Sequence, residues 1–154
     1  MADELTLWIS SHLAEKIRAH GAETYPYECC GALLGHDTEP EKHDAAREVL
    51  ALFPLVNRHG DSPRNRFIVT PEDVLLADNK AQEQGLELIG WYHSHPDHPA
   101  RPSQFDLDHA WPWYSYIIVS VQNGAPVDMT SWRLNDDRHA FSPEGIEVRY
   151  RAAV

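Results

Sequence analysis

His93 and His95 are separated by one residue, and Asp106 follows eleven positions after the second histidine, in the stretch "WYHSHPDHPARPSQFD" that runs from 91 to 106. In an extended strand, residues i and i+2 project to the same face. His93 and His95 would therefore point together, with Ser94 and Tyr92 on the opposite face. Pro96 carries no N–H and cannot continue a sheet ladder, so the strand should end there and open into a loop. Two imidazoles at a strand end make half of a metal site, because neutral imidazole is a good zinc ligand. Asp106 qualifies as a third ligand from the next element. Two histidines and a carboxylate, with water in a fourth position, is a chemically sensible catalytic zinc set.

Plainer readings stand beside this one. A histidine at a strand end is commonly a hydrogen-bonded polar residue and nothing more. Ser103 and Asp106 match the S-x-x-[DE] capping pattern, in which the serine caps a helix and the acid answers back. Glu28 reads by itself as a solvated charge beside a proline turn. His36, His43, His59, His98 and His109 are scattered without ligand spacing, and the last two read as surface or supporting positions.

The elements that must position these groups follow from pattern. "LTLWIS" (5–10) reads as a strand, and "SSHLAEKIRAHGAE" (10–23) as a helix with a serine start and Leu13, Ala14 and Ile17 on one side. "CCGALLGHD" (29–37) is an apolar strand, and a further strand lies within 43–56. The polar turn-formers of 57–65 read as an exposed loop. "RFIVT" (66–70) is a strand. Residues 71–85 are a helix with Pro71 at its start, acids in its first turn and Gly85 at its end. Strands at 86–95, 114–121, 127–134 and 145–150 and a short helix at 103–111 complete the chain. Trp91 and Tyr92 read as core, and Trp111 and Trp113 as core or rim. The expected class is α+β, or a three-layer α/β/α-like arrangement in which a mixed β-sheet is flanked by helices.

Composition bounds the rest. The 154 residues suit one domain spanning 1–154, and 42% hydrophobic content supplies a packed core. A formal net charge of −11 argues against a general nucleic-acid-binding role. Lysine occurs only at 16, 42 and 80, and such an acidic, lysine-poor chain suits a high-salt cytoplasm. No apolar run approaches the roughly 20 residues a membrane helix needs. The start "MADELTLWISS" is acidic where a secretory signal is basic, so a cytoplasmic location is expected. Cys29 and Cys30 are adjacent, unsuited to pairing with each other, and read as two small buried residues of a protein in a reducing compartment.

The string "HSHP" followed by "SQFD", with Glu28 before "CCGALLG", resembles the JAMM (MPN+) metalloprotease motif, and "NRFIVTPEDV" and "LIGWYHSHP" are similar to small stand-alone bacterial members. The resemblance covers roughly residues 5–135, and every motif position is filled. It implies a cytidine-deaminase-like JAMM/MPN domain. In this chain, His93, His95 and Asp106 would hold Zn²⁺. Glu28 would act as general base and then acid, and Ser103 would donate to the oxyanion. It further implies a zinc isopeptidase that cleaves after the C-terminal Gly-Gly of a ubiquitin-like sulfur-carrier protein, either trimming a precursor or releasing an adduct such as cysteine. The alternatives are a non-catalytic MPN-type protein-interaction scaffold, or a cell-wall or phage-tail peptidase of the same fold.

Overall fold

The computed structural model describes residues 5–39, 46–56 and 68–150. Seven strands and three helices alternate in the order β1 (Thr6–Ser10), α1 (Ser11–Thr24), β2 (Cys30–Asp37), β3 (Arg47–Leu55), α2 (Pro71–Glu83), β4 (Glu87–Pro96), α3 (Gln104–His109), β5 (Ser115–Gln122), β6 (Ala125–Leu134) and β7 (Phe141–Arg149). The 57–65 loop, His43 and His59 lie outside the described residues. So does the first part of the strand expected at 66–70, and residues 68–70 are not a strand.

Helix ends follow local chemistry. The Ser10 hydroxyl accepts the Leu13 N–H at 3.1 Å and starts α1. Thr70 and Asp73 form a reciprocal capping box at α2, with Pro71 just inside. Gly85, at φ 69°, lets the chain turn toward β4.

The strands pair in the order β1-β3-β2-β4-β5-β6-β7, and β1 also pairs with β7, so the sheet closes into a barrel. The three-layer α/β/α arrangement expected from the sequence is therefore not what forms. Closure requires curvature, and β-bulges supply it. One extra residue is accommodated at Leu50 on β3, at Ile89 on β4 and at Val127 on β6. Period-2 patterning locates strands but does not show where a register slips, so closure is invisible to it.

Helix α1 packs against β1, β3, β4, β5, β6 and β7. Only the inner side of a closed sheet reaches that many strands. Its Ala14 and Ile17 meet Leu7, Ile9, Leu33, Ile117 and Val119 in an inner core. Helix α2 lies outside, where Ala77 and Ala81 pack with Ala32, Leu88, Trp91 and Tyr116. Strand β4 is thus covered on both faces, with Tyr92 inward and Trp91 outward, as alternation requires. Cys29 and Cys30 form no disulfide and are buried, one in each core. No helix among the described residues is long and apolar enough to cross a membrane.

Strands β4 and β5 pair in parallel from Gly90↔Ser115 to Pro96↔Val121. A Cβ added to Gly90 would meet the Ser115 carbonyl oxygen at 2.2 Å, inside any tolerated contact. Gly90→Ala is expected to destabilise the fold by about 3 kcal/mol, because backbone rather than a flexible side chain must give way. Urea unfolding checks this. A change below about 0.5 kcal/mol, the size of an ordinary surface effect, would contradict it.

Candidate active site

A parallel strand pair cannot be joined by a tight turn. The chain leaving β4 at Pro96 must travel back before it enters β5 at Ser115, and this return carries Ser103, α3 and Asp106. His93 and His95 occupy the last turns of β4, on its outer face. There Asp106 meets both of them. Its Oδ1 lies 3.2 Å from His93 Nε2, its Oδ2 lies 3.1 Å from His95 Nε2, and the two Nε2 atoms are 3.2 Å apart.

The donor set fits a cation. Four tetrahedral bonds of about 2.0–2.1 Å place ligand atoms about 3.3 Å from one another. His95 Nδ1 donates to the Pro99 carbonyl at 2.9 Å, which turns the Nε2 lone pair of the neutral ring toward the centre. A proton on one nitrogen serves only one of these contacts, whereas a cation would engage both ring nitrogens and the carboxylate together. Two imidazole nitrogens and one carboxylate oxygen favour zinc-like ions over magnesium or calcium, which want oxygen. His93, His95 and Asp106 form the metal-capable cluster found among the described residues.

Asp106 has two jobs. Its N–H donates to Ser103 Oγ at 3.0 Å, and its Oδ2 accepts the Ser103 N–H at 2.9 Å. The capping box is therefore present, and it leaves the ligand reading open, since the same box aims the carboxylate at His93 and His95. Helix α3 has no buried residue of its own, so this cap and the loop before it hold it in place. Burial disfavours charge on Asp106, yet His93 and His95 outweigh it and hold its carboxyl far below the usual range. Burial likewise opposes charge on His95, but Asp106 and the Pro99 carbonyl prevail and raise its pKa.

Glu28 precedes β2. Ser94 N–H donates to the Cys29 carbonyl at 3.2 Å, and Cys30 stands opposite His93. Stepping back along this antiparallel ladder puts Glu28 beside His95, on the ligand face. The solvated reading of Glu28 does not hold, because only 4% of it is exposed. Burial, and then the Asp106 charge, push its carboxyl up to about 9. Ser94, read from the sequence only as pointing away, has a function in this arrangement. Its buried Oγ accepts the Cys29 N–H at 2.8 Å and ties the Glu28 segment to the ligand strand. Polarity in the middle of an apolar strand was the available signal.

Other candidates separate from the site. His98 and His109 are exposed, and His109 Nδ1 donates to the Phe105 carbonyl at 2.9 Å. Trp111 packs on the outer core with its Nε1–H donating to the Val69 carbonyl at 3.3 Å. Trp113 is largely exposed, and the Arg47 guanidinium lies 4.1 Å from its ring centre.

A closed, bulged barrel thus gathers two histidines and an aspartate that could hold a metal ion at the end of one strand, with a buried glutamate beside them. The chain belongs to the prokaryotic homologs of the JAB domain, whose family model matches residues 10–135. It is 34% identical over 117 residues to a "Probable TtuB-protein conjugate cleaving protease" of Thermus thermophilus, covering 76% of this chain and 72% of the relative. It is 35% identical over 96 residues to a "Desampylase" of Haloferax volcanii, covering 62% of this chain and 63% of the relative. A solution structure of a protein from Salinibacter ruber superposes with a TM-score of 0.71 at 45% identity, covering 92% of this chain and 90% of that one.

The raised Glu28 pKa has a sign that can be tested in metal-free protein. The folded state holds this proton more tightly than the unfolded chain. The stabilisation is therefore complete below the unfolded value near 4.5 and is lost as pH rises through about 9. Metal-free Glu28→Gln should be more stable than its parent at pH 8, by on the order of 2 kcal/mol, and nearly equal at pH 4.5. Thermal unfolding at the two pH values decides it, and an equal effect at both would contradict the assignment.

Proposed function

We propose that the protein is a zinc-dependent isopeptidase that hydrolyses the amide bond after the C-terminal Gly-Gly of a small ubiquitin-like sulfur-carrier protein. The activity would trim a precursor or release an adduct such as cysteine. One observation carries the proposal. The Asp106 carboxylate reaches both rings, Oδ1 at 3.2 Å from His93 Nε2 and Oδ2 at 3.1 Å from His95 Nε2, the two nitrogens are 3.2 Å apart, and buried Glu28 stands on the same face. The names of the relatives support a conjugate of this class as substrate.

When bound, zinc would act as a Lewis acid that polarises the scissile carbonyl and favours ionisation of water. Glu28 takes a proton from the attacking water as its oxygen joins the carbonyl carbon. It then passes that proton to the amine nitrogen as the C–N bond breaks. A carboxyl with high proton affinity suits the second step, and the charge of a bound zinc would favour the carboxylate form that Glu28 needs for the first. Ser103 is exposed, and its oxygen already accepts the Asp106 N–H. Its own hydroxyl proton remains to donate to the developing oxyanion.

An extended Gly-Gly tail would bind by strand addition. Among the described residues, β3 is paired on its β1 side only from Arg47 to Val49. Leu50 to Leu55 therefore present an edge, and Leu55 lies opposite Cys30, which is itself opposite His93. A tail added here would run three strand spacings, about 14 Å, from the ligand strand, so its Gly-Gly end must cross the ends of β3 and β2 to reach the site.

The test is cleavage of a carrier protein joined through Gly-Gly to a lysine side chain. Chelator should abolish cleavage and added zinc should restore it. Glu28→Ala is expected to lose about 10²–10⁴-fold in kcat while keeping the metal. Ser103→Ala is expected to lose about 10–10³-fold. Cleavage unaffected by chelator, or a fully active Glu28→Ala protein, would refute the proposal.

A further inference from the structure

The loop between Pro96 and Ser103 has to hold the partner of His95 still, yet Pro96, Pro99 and Pro102 each lack a backbone donor. Its carbonyls remain. Three consecutive ones are engaged by side chains. Ser120 Oγ donates to the His98 carbonyl at 2.5 Å, His95 Nδ1 donates to the Pro99 carbonyl at 2.9 Å, and Thr130 Oγ1 donates to the Ala100 carbonyl at 2.6 Å. The carbonyl that orients His95 is thus flanked on both sides by carbonyls pinned to the barrel wall.

Sheet register explains why these two hydroxyls are in reach. His95 pairs with Ser120, and His93 pairs with Ile118, which in turn pairs with Thr130. Directly paired residues share a face, so β5 and β6 extend the ligand face sideways, and the loop folds across it. Both rotors are set. Thr130 Oγ1 accepts the Trp132 Nε1–H at 2.8 Å, and Ser120 Oγ accepts from Gln122 Nε2 at 3.4 Å, leaving each hydroxyl proton for the loop. Asp97 anchors the loop's first residue, donating its N–H to the Val121 carbonyl at 2.7 Å and accepting the Asn123 N–H at 3.0 Å.

We propose that Ser120 and Thr130 are positioning residues for the metal ligand His95. They fix the Pro99 carbonyl, the carbonyl fixes the tautomer and plane of the imidazole, and the ring then presents Nε2 to the ion without reorganising. The inference rests on the metal reading above and concerns affinity rather than chemistry. Neither side chain belongs to the motif string that carries His93, His95, Ser103 and Asp106.

The experiment measures zinc affinity by competition with a chromophoric chelator, and the visible absorption of the Co²⁺-substituted protein, in the full chain. The variants are Ser120→Ala, Thr130→Val and Thr130→Ser. Ser131→Ala is the control, because Ser131 is a buried serine whose hydroxyl donates to Glu144 and is not among the groups holding the loop. Ser120→Ala and Thr130→Val should each bind zinc about 10–100-fold more weakly and shift the Co²⁺ bands, while Thr130→Ser restores both. Should Ser120→Ala fail to fold, the Thr130 pair decides alone. Parent-like affinity and spectrum in the hydroxyl-free variants would overturn the inference. So would a loss of affinity equally large in Ser131→Ala, which would reduce the effect to general stability. A parent protein that binds no zinc would instead overturn the metal reading itself.

Discussion

The parallel pairing of β4 with β5 is the constraint on which the site depends. A hairpin after Pro96 would have sent the chain straight back along β4 with no room for a third ligand. Parallel pairing forces a long return across the outer face, and the return deposits Asp106 on the two histidines. The same return supplies the Pro99 carbonyl that orients His95 and the Ser103 cap that aims Asp106. On the other side of β4, antiparallel pairing with β2 delivers Glu28. One central strand, bordered once in each sense, assembles every group of the proposed mechanism.

Packing makes the arrangement rigid and electrostatically costly. β4 is covered by the inner core on one face and the outer core on the other, so its side chains have little freedom to move. Burying Glu28 beside Asp106 puts two carboxyls into a region that solvates charge poorly, and Glu28 answers by holding its proton. His93 and His95 stabilise the Asp106 charge, and the three side chains bring ligand atoms together at a spacing that could hold an ion. A bound dication would relieve these tensions together, satisfying the lone pairs and favouring the Glu28 carboxylate. The stability spent on this buried polar cluster is what one expects at a functional site rather than in a merely structural core.

Much of this was legible in the sequence. The ligand face of β4 followed from alternation alone, because "WYHSHP" places Trp91, His93 and His95 on one side and Tyr92 and Ser94 on the other. The helix from Pro71 was marked by that proline, by its first-turn acids and by Gly85, while its Thr70 cap was read as part of a strand. The short helix carrying Asp106 was marked by the S-x-x-D pattern. The barrel was not legible. Its closure depends on register slips at Leu50, Ile89 and Val127 and on β1 pairing with two distant strands, and neither leaves a trace in local periodicity. Glu28 read as solvated because nothing within its own segment announces that β4 and Asp106 will cover it. Ser120 and Thr130 were invisible for a related reason. A hydroxyl in a strand gains meaning only from the loop that crosses it.

The central claim is that His93, His95 and Asp106 form one metal site. The most direct measurement is zinc stoichiometry by elemental analysis, after zinc loading and extensive dialysis, for the parent protein and for Asp106→Ala. One zinc per chain in the parent, absent from the variant, is the predicted result, because two histidines alone leave a catalytic zinc set without its third protein ligand. No zinc in the parent, or equal retention in Asp106→Ala, would contradict the account.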